Sequence, residues 1–128
     1  MKEEGRPLFV QIAESIEDSI IAGALPEGSK APSTNELAAF YRINPATAAK
    51  GISMLVDKGV LSKRRGIGMF VESGAAALLI GERRAAFADH YIDPLLAEAR
   101  KLGLDADALA QLIRDRSRGA LPTEGTTR

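Results

Sequence analysis

The chain has no cysteine. That excludes disulfide bonds, thiolate nucleophiles and thiolate metal ligation, and it fits a cytoplasmic location, which we expect. It has one histidine, His90. A lone imidazole beside Tyr91 reads as structural or exposed, and without cysteine it leaves too few ligands for a metal site of the usual kind. No metal or other cofactor is expected. No apolar run approaches the ~20 residues that a membrane span needs, so no membrane partner is expected. The opening, MKEEGRP, is too polar for a secretory signal. Nucleophile–base pairs, paired acids in a plausible pocket and phosphate loops are lacking too, and the serines fall at caps and turns. An enzyme is not expected.

An excess of one charge is also missing: 17 basic side chains face 17 acidic ones. The balance hides a segregation. Residues 30–70 hold seven basic groups (Lys30, Arg42, Lys50, Lys58, Lys63, Arg64, Arg65) and two acidic ones (Glu36, Asp57). Residues 1–29 hold two basic and six acidic groups, and residues 71–128 hold eight and nine. Local charge governs attraction to phosphate, so residues 30–70 are the candidate polyanion contact.

What is present is a pair of short helix patterns within residues 32–58. Ser33 is a good N-cap, with Glu36 three residues on, and Leu37 and Phe40 are the apolar positions of the first helix. Asn44 caps the second, and Pro45 comes next, at the position where its missing N–H costs nothing. Ala48, Ile52, Leu55 and Val56 recur on one face. Taken alone, this is a helical hairpin as readily as a helix-turn-helix. The next dozen residues decide between them. Residues 60–64 and 69–71 read as strands around an Arg65-Gly66-Ile67-Gly68 turn, a basic hairpin placed as a wing. Gly66 and Gly68 do not make a nucleotide loop, because neither a third glycine nor a helix pattern comes after them.

The remaining elements frame this motif. Residues 1–6 read as disordered. Pro7 opens a helix over residues 8–22, with Phe9, Ile12, Ile16 and Ile20 at helical spacing and Gly23 as its stop. Residues 24–30 read as a Pro- and Gly-punctuated loop that brings Lys30 near the second helix N-terminus, where free N–H groups favour phosphate. Residues 75–102 read as helical, with Phe87, Tyr91, Leu95, Ala99 and Leu102 as a stripe. Pro94 should kink or break it, because it cannot donate to the His90 carbonyl. Asp105 caps a last helix to about residue 118, with Leu109, Leu112 and Ile113 apolar. Residues 119–128 read as a disordered tail. The expected fold is mainly α with a small β-hairpin. Residues 1–73 would form the winged helix-turn-helix, and residues 74–118 a two-helix dimerisation domain. Phe87, Tyr91, Leu95, Leu109, Leu112 and Ile113 are the expected dimer interface, since two helices cannot enclose so much apolar surface.

The pattern PLFVQIAESI, then LPEGSKAPSTNELAAFY, then INPATAAKGISMLVDKGVLSKRRGIGMFV, resembles the DNA-binding domain of the GntR family of bacterial transcription regulators. The resemblance covers about residues 7–71. The Asn-Pro-x-Thr opening of the third helix and the short C-terminal part resemble the YtrA subfamily. The resemblance implies a homodimer that binds a double-stranded operator, as a repressor in the first instance. It places base and phosphate contacts at Ser33, Thr34 and Asn35, at Asn44, Ala46, Thr47 and Lys50, and at Lys63, Arg64, Arg65 and Gly66, with Lys30 nearby. Three positions depart from the family pattern. Asn35 stands where arginine is frequent, Arg42 where glycine is frequent, and Met69 where threonine is frequent. Asparagine suits adenine where arginine suits guanine, so the operator is not fixed by the resemblance. The alternatives are a winged-helix protein-interaction module without DNA binding and a small-molecule sensor. An unidentified small-molecule effector remains a possible partner.

Overall fold

A computed structural model describes residues 5–120. The expected disorder of residues 1–4 and of the tail from residue 121 lies outside them. Arg6 is held, contrary to expectation: its guanidinium pairs with Glu14, and the Gln11 side chain donates to its carbonyl at 3.0 Å. The elements run in the order α1 (Leu8–Ile21), α2 (Thr34–Tyr41), α3 (Pro45–Lys58), β1 (Leu61–Arg64), β2 (Gly68–Val71), α4 (Ala75–Phe87), α5 (Asp93–Lys101) and α6 (Ala106–Ala120). Residues 119 and 120, expected in the tail, continue α6. The chain divides into two compact units, the first ending at Arg83 and the second starting at Arg84.

The first unit is built on α1. Ile12, Ala13, Ile16 and Ile20 present one continuous buried stripe, as their spacing requires. Against it pack Leu37 and Ala38 of α2, Ala48, Ile52 and Leu55 of α3, and Val60, Leu61 and Val71 of the hairpin. Ala75 and Leu79 complete this core, so the start of α4 is structurally part of the first unit. Gly51 explains how closely α3 approaches α1. A Cβ built there would stand 2.9 Å from the Phe9 carbonyl oxygen. Glycine in mid-helix costs about 1 kcal/mol relative to alanine, and here that cost permits the contact.

Phe40 departs from expectation. It is 79% exposed, and Tyr41 takes the inward position, its hydroxyl 2.8 Å from that of Ser15. From Leu37, the residue one turn on that continues the buried face is at i+4, Tyr41, and not at i+3.

The end of the segment expected as a loop, residues 24–30, is an edge strand in its bonding, which runs from residue 28 to residue 31. Gly28 N–H donates to the Val71 carbonyl at 2.8 Å, Val71 N–H to Ser29 at 2.9 Å and Ala31 N–H to Met69 at 2.8 Å. The two-stranded hairpin, with Leu61 opposite Val71 and Arg64 opposite Gly68, thereby gains a third edge.

In the second unit, the end of α4 leads through a single π-turn, residues 88–92, into α5. The expected break at Pro94 takes this form. The turn before the proline widens, Asp93 N–H reaches back to the Ala88 carbonyl, and Pro94 enters at the start of α5, where no N–H is missed. The widened turn holds an extra residue and rotates every later position by about 100°. Of the expected stripe, Phe87, Tyr91, Leu95 and Leu102 are exposed and Ala99 alone is buried. Asp105 caps α6 as its sequence indicates, accepting from Ala108 N–H at 2.9 Å.

Candidate nucleic-acid interface

The helix-turn-helix is set by its caps. Ser33 Oγ accepts the Glu36 N–H at 3.0 Å, and Glu36 Oε1 accepts the Ser33 N–H at 2.8 Å, a complete capping box. The bond from the Ser33 backbone, then that involving its hydroxyl, holds the Glu36 carboxyl below its ordinary pKa, with a smaller pull from Lys30. At α3, Asn44 Oδ1 accepts the Ala46 N–H at 2.8 Å. That bond uses the amide oxygen and leaves the donor NH2 as the group with bonding capacity.

Both capped ends leave the expected contact residues accessible. Ser33, Asn35, Asn44, Ala46 and Lys50 are exposed, and Thr34 and Thr47 are half-buried. Lys50 is not free in space: its ammonium lies 4.2 Å above the centre of the Phe9 ring, a cation–π contact that orients it from α1. The hairpin does the same for Arg64, whose guanidinium carbon lies 4.1 Å above the Phe70 ring. Lys63, Arg65 and Gly66 are exposed at the tip, and Gly66 has φ 76°, as the tight turn requires. Lys30 stands at the root of the wing. Its backbone bridges Phe70, and its Cε fills the space beside Gly68, where an added Cβ would come within 2.9 Å. Neither aromatic support was signalled by the sequence, because Phe9 reads as part of the apolar stripe of the first helix and Phe70 as part of the second strand.

The charges of this unit fall into two populations. Lys58, one of the seven basic groups of residues 30–70, is bound: its ammonium is 2.6 Å from Glu17 and 3.1 Å from Glu82. Arg83 joins the same cluster, 3.4 Å from Glu17 and 2.7 Å from Asp18. Glu17 is 4% exposed, and this network satisfies it. Burial alone would lower the pKa of Lys58, but its bonds to the two glutamates outweigh it and raise it. By contrast Lys30, Arg42, Lys50, Lys63, Arg64 and Arg65 form no ion pair among the described residues. These cations, at the wing root, in the turn between α2 and α3, on α3 and on the wing, constitute a positive field that no ion pair closes off.

The expected dimer residues lie in the second unit. Phe87, Tyr91, Leu95, Leu112 and Ile113 are exposed in the single chain, whereas Leu109 is buried within it. Sequence reasoning missed exposed Leu96 and, on α4 of the first unit, Leu78 and Ile80. Among the described residues no group of acidic or histidine side chains could hold a metal ion, and no helix is long and apolar enough to cross a membrane.

Comparison with known proteins agrees with this geometry. Residues 8–71 match the family model of the bacterial regulatory proteins of the gntR family. The chain is 26% identical over 109 residues to the HTH-type transcriptional repressor YtrA of Bacillus subtilis (strain 168), covering 85% of this chain and 83% of that one. Its fold is similar to that of a crystal structure of a putative GntR-family transcriptional regulator from Bacteroides thetaiotaomicron, with a TM-score of 0.74, 27% identity, and coverage of 87% of this chain and 96% of the other. The chain is also similar to AraR(DBD), solved in complex with an operator, at 32% identity and a TM-score of 0.51, over 56% of this chain and 86% of that one. These relatives are regulators and not enzymes. A match to the family model across the winged helix, and a likeness to YtrA that continues into the second unit, place the chain in the GntR family of transcription regulators, among its YtrA-like members.

Proposed function

We propose that the chain is a cytoplasmic, homodimeric repressor that binds a near-palindromic operator. The N-terminal part of α3 would enter the major groove, the start of α2 would meet the backbone, and the wing would lie along the backbone or reach the neighbouring minor groove. Asn35, Asn44 and Thr47 would read local sequence. Lys50, Lys63, Arg64 and Arg65 would supply phosphate or guanine contacts, with Lys30 at the wing root and Ser33, Thr34, Ala46 and Gly66 bringing the backbone close. The observation that carries this reading is the set of cations at the wing root, in the turn between α2 and α3, on α3 and on the wing that form no ion pair among the described residues, while Lys58 and Arg83 do. The exposed apolar side chains of the second unit support self-association, because soluble monomers rarely leave so large an apolar patch uncovered. Two-fold pairing would set the spacing of the two recognition helices.

The test is to select bound duplexes from a random DNA pool, then titrate the selected duplex against increasing salt. Affinity should fall steeply, because phosphate binding releases counterions. An enriched two-fold sequence is the expected result. No enrichment, together with binding unchanged by salt, would favour the protein-interaction module.

A further inference from the structure

Arg42 is the one described residue other than glycine with a positive φ, at φ 57° and ψ 53°. This left-handed position ends α2: the N–H groups of Arg42 and Ile43 both bond to the Ala38 carbonyl, the latter at 3.0 Å, before the chain turns into α3. Glycine adopts the conformation without crowding, and asparagine does so more readily than arginine. The long side chain is therefore the strained choice, and nothing in its surroundings compensates for it. Arg42 is exposed, and its side chain makes no hydrogen bond, ion pair or ring contact among the described residues. A cation near a helix C-terminus does gain from the helix dipole. That gain is equally open to an unstrained position in the last turn of α2, which carries no basic residue. Strain that is retained at an exposed site without structural return points to function.

The position indicates which function. Arg42 stands two residues before Asn44, the N-cap of α3, so its Cα lies within about 7 Å of the start of the recognition helix. From there the guanidinium, with five donors in a planar fork, matches the oxygens of a phosphate. We infer that Arg42 is a phosphate-binding residue, which clamps the nucleic-acid backbone beside the groove that receives α3 and fixes the depth at which the helix enters. The inference rests on the DNA-binding reading above and adds a contact to it at a position where the family frequently has glycine.

The test uses the full chain and three variants, Arg42→Gly, Arg42→Asn and Arg42→Lys, with Arg64→Ala/Arg65→Ala as the comparison. Affinity is measured by fluorescence anisotropy on a selected duplex and an unrelated one over a range of salt, and thermal unfolding is followed alongside. Arg42→Gly should unfold at the same temperature as the parent or a higher one, yet bind both duplexes about three- to tenfold more weakly. The slope of log affinity against log salt should become shallower by about 0.9 for each phosphate that the variant no longer neutralises. Arg42→Asn should behave likewise, and Arg42→Lys should keep the slope. Unchanged affinity and slope in Arg42→Gly, with binding lost in the wing variant, would overturn the inference and leave the DNA-binding reading standing. A lower unfolding temperature in Arg42→Gly would overturn it too, by showing a structural role. A parent chain that binds neither duplex would remove both.

Discussion

The two units of the chain solve the problem of burial differently. The first closes a core around Ile12, Leu55, Leu61 and Leu79, all fully buried, and locks its rim with the cluster of Glu17, Lys58, Glu82, Arg83 and Asp18. The second buries Ala99 and Leu109 and leaves Phe87, Tyr91, Leu95, Leu96, Leu102, Leu112 and Ile113 exposed. Burial of apolar surface stabilises by roughly 25 cal/mol per Å2, so the first unit has the means to fold alone. The second does not, unless something covers its leucines and aromatics. We take that cover to be a second copy of the chain.

Separating the units should have the greatest consequence. Residues 1–83 should remain folded and monomeric, while residues 84–128 should show little helix by circular dichroism at low concentration. An isolated second unit with native-like helicity as a monomer would remove the contrast. A chain cut after residue 74 should be clearly less stable than one cut after 83, because it lacks Ala75 and Leu79.

Single substitutions should divide along the same line. Leu79→Ala should cost about 2–5 kcal/mol of unfolding free energy without altering the mass of the dimer. Ile113→Ala should change the unfolding of the first unit little and instead raise the dimer dissociation constant, as read by sedimentation. Gly51→Ala, favourable on helix propensity, should destabilise by about 1–3 kcal/mol, because its Cβ meets the Phe9 carbonyl.

A smaller effect should come from the charge cluster. The pKa of Lys58 is raised in the folded chain. A raised basic group contributes stability that is fully present below its unfolded value, about 10.4, and is lost as pH climbs through the folded value. The stability difference between the parent and Lys58→Gln should therefore be constant near neutrality and shrink above that pH. It should be about 1 kcal/mol, since Lys58 and Arg83 are both partly exposed to solvent. Equal pH profiles for the two proteins would show that the cluster contributes nothing through this group.

Much of the first unit was legible in local chemistry. Ser33 with Glu36, Asn44 with Pro45, and the isoleucines of α1 each act over a few residues, so sequence exposes them. What was hidden depends on contacts between distant segments. Residues 28–31 become an edge only because β2 lies beside them. Tyr41 and not Phe40 turns inward, where its hydroxyl meets that of Ser15 on α1. Lys58 loses its place in the free positive field because Glu17 and Glu82 reach it from other helices. Among candidate contacts, the residue types were readable, but the aromatic supports of Lys50 and Arg64 were not. In the second unit, the consequence of Pro94 was readable and its form was not. Pro94 is accommodated by widening the turn before it, a choice that depends on backbone bonds which no residue pattern displays.

The decisive measurement is the affinity of the full chain and of residues 1–83 for one selected palindromic duplex, at the same salt, with the number of chains bound. We expect two full-length chains per duplex, bound at least about a hundredfold more tightly than the fragment, because pairing raises the effective concentration of the second winged helix. Equal affinities, or one full-length chain per duplex, would contradict a dimeric operator-binding protein.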